Sequence, residues 1–303
     1  MRQTIWNDIK FRIIGSQNSL IHLIAINVVA FLGMAIPVGL VGLFGVNGMQ
    51  NAYEGFGEWM FLPGDFLTLL TRPWTLVTHF FLHSFSIRHI LWNMLFLWWF
   101  GRIFHSLMGN QRSIQLYVLS GLVGGLSFMI AANILPTMSP ENRLVGASGA
   151  VTGFILAATT LNPLYSIRLL FFGDVKIWMI AAFFVVGDLI FIAENTGGRI
   201  AHLAGGLTGY LFVTQLKNGN DFGAWISRFN QAVLAFFKPK EKSKFKVHSN
   251  PSGKASSGKS QSSFSNAVSQ EEIDAILDKI SKSGYDSLSK RERDILFKVS
   301  DKN

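Results

Sequence analysis

The sequence contains no cysteine and comparatively little charge. Of its 303 residues, 15% are charged and 49% are hydrophobic, whereas soluble domains carry about 25% charged residues. The absence of cysteine excludes a disulfide framework, a thiolate nucleophile and a cysteine-based metal site. The shortage of charge favours a membrane protein over a soluble enzyme.

The charge that is present is mostly basic. A formal net charge of +9 would also suit a protein that binds nucleic acid. Much of the basic excess, however, follows residue 216, next to the last long apolar segment. Lysines directly after a membrane helix are typical of the cytoplasmic side, where they face anionic lipid headgroups. We therefore expect the lipid bilayer as the partner of this charge, and no nucleic acid.

Six apolar segments stand out along the chain, at residues 20–44, 84–100, 114–135, 147–162, 175–193 and 200–216. Several of them approach the roughly 20 residues that a helix needs to cross the hydrocarbon core. The first, Leu20–Phe44, is too long for the apolar region of a cleaved signal peptide. The fourth and sixth are rich in Gly and Ala, as is typical of helices that pack among other helices. The sequence predicts an all-α, polytopic membrane protein with six transmembrane helices.

The basic residues of the connections indicate the orientation in the membrane. Lys and Arg are concentrated before the first helix, after the second and fourth helices, and after the sixth. The alternate connections hold only Arg72, Arg143 and Arg199. Both termini should therefore be cytoplasmic, and the starts of helices 2, 4 and 6 should lie at the outer face. We expect a multi-pass protein of a bacterial inner (cell) membrane.

Composition divides the chain into five regions. They are a cytoplasmic N-terminal segment, the six-helix domain, an amphipathic interfacial helix, a flexible linker and a small helical hairpin, at residues 1–19, 20–216, 217–237, 238–268 and 269–303. Apolar residues at helical spacing beside basic residues indicate the interfacial helix, and Ser, Gly and Lys mark the linker. Within the six-helix domain, the long aromatic connection at 45–83 should lie in the membrane interface, where Trp and Tyr are favoured.

The predicted cytosolic C-terminal hairpin carries one apolar stripe, formed by Ile273, Ile276, Leu277 and Ile280. After a break at Gly284, either Ser287 or Ser289 can cap a second helix. The hairpin is small for a unit that folds alone. Its stripe would suit a cytosolic partner or self-association, and the alternative is a solubilising tail without a partner.

Polar and ionisable side chains inside membrane helices cost free energy unless they are satisfied, so they mark candidate sites. Three segments carry such groups. The second opens with HFFLHSFSIRHILWN, the fourth with GASGAVTG and the sixth with RIAHLAGGLTG. All three clusters fall at the end that the charge pattern assigns to the outer face. Their common depth predicts a single site.

Ser148 opens the fourth segment, between Gly146 and Gly149. It is either a small residue that permits close helix packing or a nucleophile at a helix N-terminus, where free N–H groups can stabilise an oxyanion. The two glycines would let a substrate carbonyl approach the backbone. A serine nucleophile needs a general base, and His202 on the sixth segment supplies an imidazole. The alternative for His202 is a buried histidine that is hydrogen-bonded to a backbone carbonyl.

Small residues recur at helical spacing on the fourth and sixth segments and would let these two helices pack closely. They are Gly149, Gly153, Ala201, Gly205 and Gly209.

His89 and Asn93 are four residues apart and therefore share one face of the second helix. Both side chains donate hydrogen bonds, as an oxyanion hole requires. A metal site formed by His79, His83, His89 and His202 is the alternative. The metal site is the less favoured alternative, because no carboxylate lies among these clusters and Asn is a poor ligand for transition metals. We expect no metal and no other cofactor.

Taken together, these motifs resemble the signature of the rhomboid family of intramembrane serine proteases. The resemblance covers about residues 15–216 and rests on Gly146-Ala147-Ser148-Gly149, Ala201-His202-Leu203-Ala204-Gly205-Gly206 and the His89–Asn93 pair. It implies a six-helix rhomboid-like bundle that cleaves transmembrane segments of membrane-protein substrates near the outer membrane face. It also implies a catalytic Ser148–His202 dyad without an acidic third member. The oxyanion hole would be the Ser148 backbone N–H with His89 and Asn93, and His83 and His79 would support a water-accessible cavity.

Two positions depart from the pattern of this family. Its first outer loop usually carries Trp-Arg, but Trp74 is followed here by Thr75, so this motif does not predict an Arg-centred loop network. Many members also place an aromatic residue four positions after the nucleophile, where it stacks on the catalytic histidine. This chain has Thr152 there, so something else must hold His202.

Two functions other than proteolysis suit a small polytopic protein. One is a catalytically inactive relative that acts as a membrane chaperone or quality-control protein, but such relatives usually lack the serine or the histidine, and this chain keeps both. The other is a small transporter. The polar clusters lie at one end of the helices, and no inverted repeat relates the two halves, which disfavours a transporter.

Overall fold

A computed structural model describes residues 18–169, 173–237 and 270–300. The chain divides into two compact units, Met1–Lys240 and Glu241–Asn303. The predicted linker and nearly all of the predicted N-terminal segment lie outside the described residues. The basic residues of these two segments therefore lie outside them as well.

The first unit is mostly helical. In chain order its helices are α1 (Ser19–Val41), α2 (Val46–Met60), α3 (Phe66–Thr71), α4 (Thr75–Thr78), α5 (Ile87–Ile134), α6 (Ser148–Leu161), α7 (Ile177–Ile190), α8 (Thr196–Lys217) and α9 (Ala224–Phe237). Within the described ranges, two segments are long and apolar enough to cross a membrane, Ser19–Phe44 and α5, while α6 and α7 are shorter apolar helices. Six membrane crossings stay a prediction.

Helix α5 joins two segments that were predicted as separate helices at 84–100 and 114–135. Its backbone is helical except at Gly109, where φ is 76° and ψ is −174°. Glycine adopts such a conformation without a side-chain clash. The first segment begins at Ile87 rather than at 84, because the backbone of Ser86 is extended, with φ −146°. His79 and His83 therefore precede this helix instead of lying on it.

The connection predicted at 45–83 has regular structure. It contains α2, α3 and α4, and its strand β1 (Leu62–Pro63) pairs with β2 (Arg143–Leu144). The guanidinium of Arg72 lies 4.4 Å from the ring centroid of Trp59, and its Nη2 is 2.9 Å from Oε1 of Glu58. The loop thus has contacts centred on Arg72, which the Trp74-Thr75 motif did not predict.

A second small sheet lies between α6 and α7, where the sequence predicted only a connection. Strand β3 (Ser166–Leu169) pairs antiparallel with β4 (Gly173–Lys176), so that Ile167 lies opposite Val175. The structure is mostly helical, as predicted, and its described residues also form two small two-stranded sheets that the sequence did not predict. Strands of two to four residues are too short to show a clear alternation beside long apolar helices.

Helices α6 and α8 pack with their backbones in close approach. An ideal Cβ on Gly205 would lie 2.1 Å from the carbonyl oxygen of Gly149, and one on Gly209 would lie 2.0 Å from that of Gly153. No side chain fits in these spaces. The close packing predicted from the small-residue ladders is confirmed, and it fixes how far apart the first turns of the two helices can be.

The second unit contains α10 (Gln270–Ser283) and α11 (Lys290–Ser300). Ser289, rather than Ser287, caps α11. Its backbone N–H donates to Oε2 of Glu292 at 2.7 Å, and the N–H of Glu292 donates to Oγ of Ser289 at 3.3 Å, which forms a reciprocal capping box. Of the predicted apolar stripe, Ile276 is buried at 5% exposure, whereas Leu277 is 49% exposed. Part of the stripe is thus used within the unit itself.

Candidate active site

Ser148 is the first residue of α6. The preceding loop turns at Gly146, whose φ of 137° disfavours any side chain, and the N–H of Gly146 donates to the carbonyl oxygen of His79 at 2.9 Å. The backbone N–H groups in the first turn of a helix have no intrahelical acceptor. The hydroxyl of Ser148 and free backbone donors therefore lie at the same end of α6.

The structure brings Ser148 and His202 together. Nε2 of His202 lies 2.7 Å from Oγ of Ser148, a normal hydrogen-bond distance between a hydroxyl and an imidazole nitrogen. His202 belongs to the second turn of α8 and is 23% exposed. The contact joins the two helices at the end where both begin, just beyond the close approach of Gly205 to Gly149.

The other ring nitrogen of His202 faces an acid that the sequence analysis missed. Nδ1 lies 3.2 Å from both carboxylate oxygens of Asp188 on α7. Oδ1 of Asp188 also accepts a hydrogen bond from Nη1 of Arg199 at 2.7 Å, and the carboxylate is 4% exposed. The three sequence clusters hold no carboxylate, but the fold brings Asp188 from α7 to His202. A signal was available, because Asp188 is the only charged residue of α7 and an acid in an apolar membrane helix marks a candidate site.

The hydroxyl of Thr152 is hydrogen-bonded within α6 and not to His202. Its Oγ1 donates to the backbone carbonyl of Ser148 at 2.8 Å, as is common for threonine within a helix. The sequence predicts that a group other than an aromatic side chain holds His202, and the side chain at its Nδ1 is Asp188.

His89 and Asn93 line the same cavity as Ser148 and His202. The ring of His89 lies beside the backbone of Gly146, where an ideal Cβ would be 3.1 Å from its Nε2. Its Nδ1 is 2.6 Å from Oγ of Ser84. Nδ2 of Asn93 donates to the carbonyl oxygen of His89 at 2.9 Å, which uses one of its two N–H groups.

The structure does not bring His79 and His83 to the cavity wall, and both are buried. Nδ1 of His79 lies 3.0 Å from the carbonyl oxygen of Thr75. The ring of His83 is 5.3 Å from that of His89, centroid to centroid, and neither of its nitrogens has a hydrogen-bond partner within the described part of the chain. His83 thus contacts the ring of His89, and the backbone of His79 is hydrogen-bonded to Gly146.

The cavity has a volume of about 1130 Å³ and is open to the outside. Its wall includes Ser148, His202, Asp188, His89 and Asn93. Small-molecule pockets usually measure roughly 300–1,000 Å³, so the space is compatible with a segment of polypeptide. In the ranges that the structure describes, no three His, Asp or Glu side chains are grouped so that they could hold a metal ion.

Comparison with known proteins identifies the same region. Residues 70–218 match a family model described as the Rhomboid domain, and residues 265–302 match a family of unknown function (DUF6576). The chain is 29% identical over 162 residues to RHOMBOID-like protein 12, mitochondrial, of Arabidopsis thaliana, a match that covers 49% of this chain and 48% of that protein. It is 29% identical over 152 residues to Rhomboid protease GlpG from two strains of Klebsiella pneumoniae, covering 49% of this chain and 51% of each relative. The chain spans about half the length of the curated relatives it matches.

Proposed function

We propose that this chain, which belongs to the rhomboid family by the match of residues 70–218 to the Rhomboid domain, is an intramembrane serine endopeptidase. Membership of that family implies a multi-pass integral membrane protein. The substrates would be transmembrane segments of other membrane proteins, cut near the outer membrane face. The observation that carries the proposal is the 2.7 Å contact between Ser148 and His202 in an open cavity.

In the proposed mechanism, Nε2 of His202 takes the proton of the Ser148 hydroxyl as Oγ attacks the carbonyl carbon of the scissile peptide bond. The resulting imidazolium then gives that proton to the leaving amine, and an acyl-enzyme remains on Ser148. Water attacks the ester, with His202 again acting as the base. A serine hydroxyl requires such a base at neutral pH, and the observed hydrogen bond supports this pairing.

The negative charge that forms on the carbonyl oxygen needs preorganised donors. The backbone N–H of Ser148 belongs to the first turn of α6 and has no intrahelical acceptor. The side chains of His89 and Asn93 line the same cavity, and the second N–H of Asn93 is available for a substrate oxygen. We assign the oxyanion hole to these three donors. Gly146 turns the chain just before Ser148 with a φ of 137°, whereas Gly149 faces α8, where an ideal Cβ would lie 3.2 Å from the carbonyl oxygen of Ala201.

We further propose that α1, the two parts of α5 at 87–108 and 110–134, α6, α7 and α8 cross the bilayer of a bacterial inner membrane, with both termini in the cytoplasm. The starts of α6 and α8 then lie at the outer face, where water can reach the open cavity. α9 would lie in the cytoplasmic interface. The two C-terminal helices would serve a cytosolic partner or self-association. An inactive chaperone-like relative is not favoured, because both reacting side chains are present and in contact.

Cleavage of a transmembrane substrate by the purified protein in liposomes tests the proposal. The wild type should yield a product cut within or beside the membrane segment, while Ser148→Ala and His202→Ala should yield none and keep their thermal stability. Ser106→Ala is the matched control, because Ser106 is exposed and its hydroxyl donates only to the carbonyl of Ile103. Cleavage by Ser148→Ala at the rate of the wild type would overturn the proposal.

A further inference from the structure

We propose that Asp188 is a positioning residue that holds His202 in the orientation and tautomer needed for proton transfer from Ser148, and that Arg199 in turn holds Asp188. The inference rests on the proposed function. It adds an acidic third member to a pair that the family resemblance implies to be a dyad.

The imidazole of His202 contacts a different side chain at each of its two ring nitrogens. Asp188 lies at Nδ1, 3.2 Å from each carboxylate oxygen, and Ser148 lies at Nε2, 2.7 Å away. A carboxylate only accepts hydrogen bonds, so it favours the tautomer in which Nδ1 carries the proton. Nε2 then has a free lone pair, and the hydroxyl of Ser148 donates to it. The base is thus held in the state from which it can remove the serine proton.

Neither position 152 nor the next turn of α8 offers an aromatic side chain to support the ring of His202. Thr152, in the place where the family stacks an aromatic side chain, donates to the backbone of Ser148 and offers no flat surface. Along α8, the positions three and four residues after His202 are Gly205 and Gly206, which have no side chains. The helix itself therefore offers no brace on that side, and Asp188 supplies the contact at the far edge of the ring.

The carboxylate of Asp188 is itself fixed in place. It is 4% exposed, and burying an unpaired carboxylate is costly. Nη1 of Arg199 donates to its Oδ1 at 2.7 Å, which pairs the charge and leaves Oδ2 for His202. Arg199 precedes His202 by three residues and so lies on the same face of α8. The chain Arg199–Asp188–His202–Ser148 is continuous.

A purely structural ion pair between α7 and α8 is the competing explanation for Asp188. The two explanations differ in which kinetic constant changes. We expect Asp188→Asn to lower kcat by between about 10-fold and about 10⁴-fold, the upper value being the cost of the equivalent replacement in trypsin-type proteases. KM and the melting temperature should change little. Asp188→Glu should recover part of kcat, and Arg199→Gln, which keeps the carboxylate beside His202, should cost less than Asp188→Asn.

These variants are measured in liposomes on the same substrate as Ser148→Ala, with Asp174→Asn as the control, because Asp174 is an exposed acid on the β3–β4 hairpin. An active wild type, an inactive Ser148→Ala and an Asp188→Asn within twofold of wild type would overturn the role of Asp188 and leave the protease intact. Equal activity of the wild type and Ser148→Ala would instead refute the proposed function and the role of Asp188 with it. If Asp188→Asn and Arg199→Gln lost the same activity, and if that loss followed the fall in their melting temperatures, the structural ion pair would be favoured.

A second measurement does not depend on the folding of any Asp188 variant. ¹⁵N spectra of histidine-labelled wild-type protein, assigned with His202→Gln, report which ring nitrogen of the resting His202 is protonated. We expect the proton on Nδ1. A neutral His202 with its proton on Nε2 would contradict the proposal.

Discussion

Oγ of Ser148 lies 2.7 Å from Nε2 of His202, although 54 positions separate the two residues in the chain. The contact depends on the packing of α6 against α8, in which Gly149 and Gly205 let two backbones meet where no side chain fits. Reactive groups at the starts of two such helices are therefore held by the scaffold rather than by flexible loops.

The proposed oxyanion donors are tested by His89→Ala and Asn93→Ala. Loss of one preorganised donor typically costs about 100- to 1,000-fold in rate, so each variant should lower kcat much more than it changes KM. The backbone N–H of Ser148 remains in both and can partly compensate. Asn162→Ala, at an exposed position beyond the other end of α6, is the matched control. A double variant of His89 and Asn93 with nearly wild-type kcat would place the oxyanion elsewhere.

The helix contact is tested by Gly205→Ala. A methyl group at this position would lie 2.1 Å from the carbonyl oxygen of Gly149, so the helices must separate. Overpacking of this kind typically costs about 1–3 kcal/mol. We expect a lower melting temperature, and a loss of activity because the distance from Ser148 to His202 increases. Gly33→Ala is the control, since a Cβ at Gly33 meets no atom within 4 Å. Equal stability of the two variants would contradict the packing account.

Metal removal separates the serine mechanism from the metal site considered for the histidines. Because the proposed reaction uses only the groups of Ser148, His202 and the oxyanion donors, EDTA should leave the rate of the purified enzyme unchanged. Activity that is lost with EDTA and restored by zinc would revive the metal site.

Truncation after Phe237 tests whether the C-terminal region takes part in the chemistry. The site is built entirely from residues of the first unit, so the rate on a detergent-solubilised substrate should stay within a few-fold of the full chain. Loss of all activity from a correctly folded truncation would contradict this modular account.

Docking by the C-terminal helices is tested by using the full chain to capture partner proteins in cells or from cell extracts. Leu277→Asp is the informative variant, because Leu277 is 49% exposed, whereas Ile276 is buried at 5% and its replacement would disturb the fold. A partner that Leu277→Asp releases supports docking, and capture that is the same with and without the substitution favours a solubilising tail.

The sequence was sufficient to predict that Ser148 and His202 belong to one site, because their motifs share a depth and glycine ladders lie below both. It was not sufficient for Asp188. An acid 14 positions before His202 and on a different helix can reach the imidazole only if the turn between α7 and α8 folds back, which no local pattern reveals. Its isolation in an apolar helix was nevertheless a usable signal.

Local geometry was predicted less well than the order of the helices. Gly109 was not recognised as the break within α5, because a single residue with positive φ leaves the apolar pattern on either side intact. The contacts of Arg72 were not predicted, because Glu58 and Trp59 lie more than ten positions before it in the chain. The pairing of β1 with β2 joins residues that are far apart in the chain, and two-residue strands have no periodicity to detect.

The central claim, that Ser148 is a nucleophile activated by His202, is tested most directly by labelling the purified protein with a fluorophosphonate and mapping the modified residue by mass spectrometry. The account predicts a single adduct on Ser148 in the wild type, formed far more slowly in His202→Ala and absent from Ser148→Ala. An adduct on another serine, or equal labelling of Ser148→Ala, would contradict it.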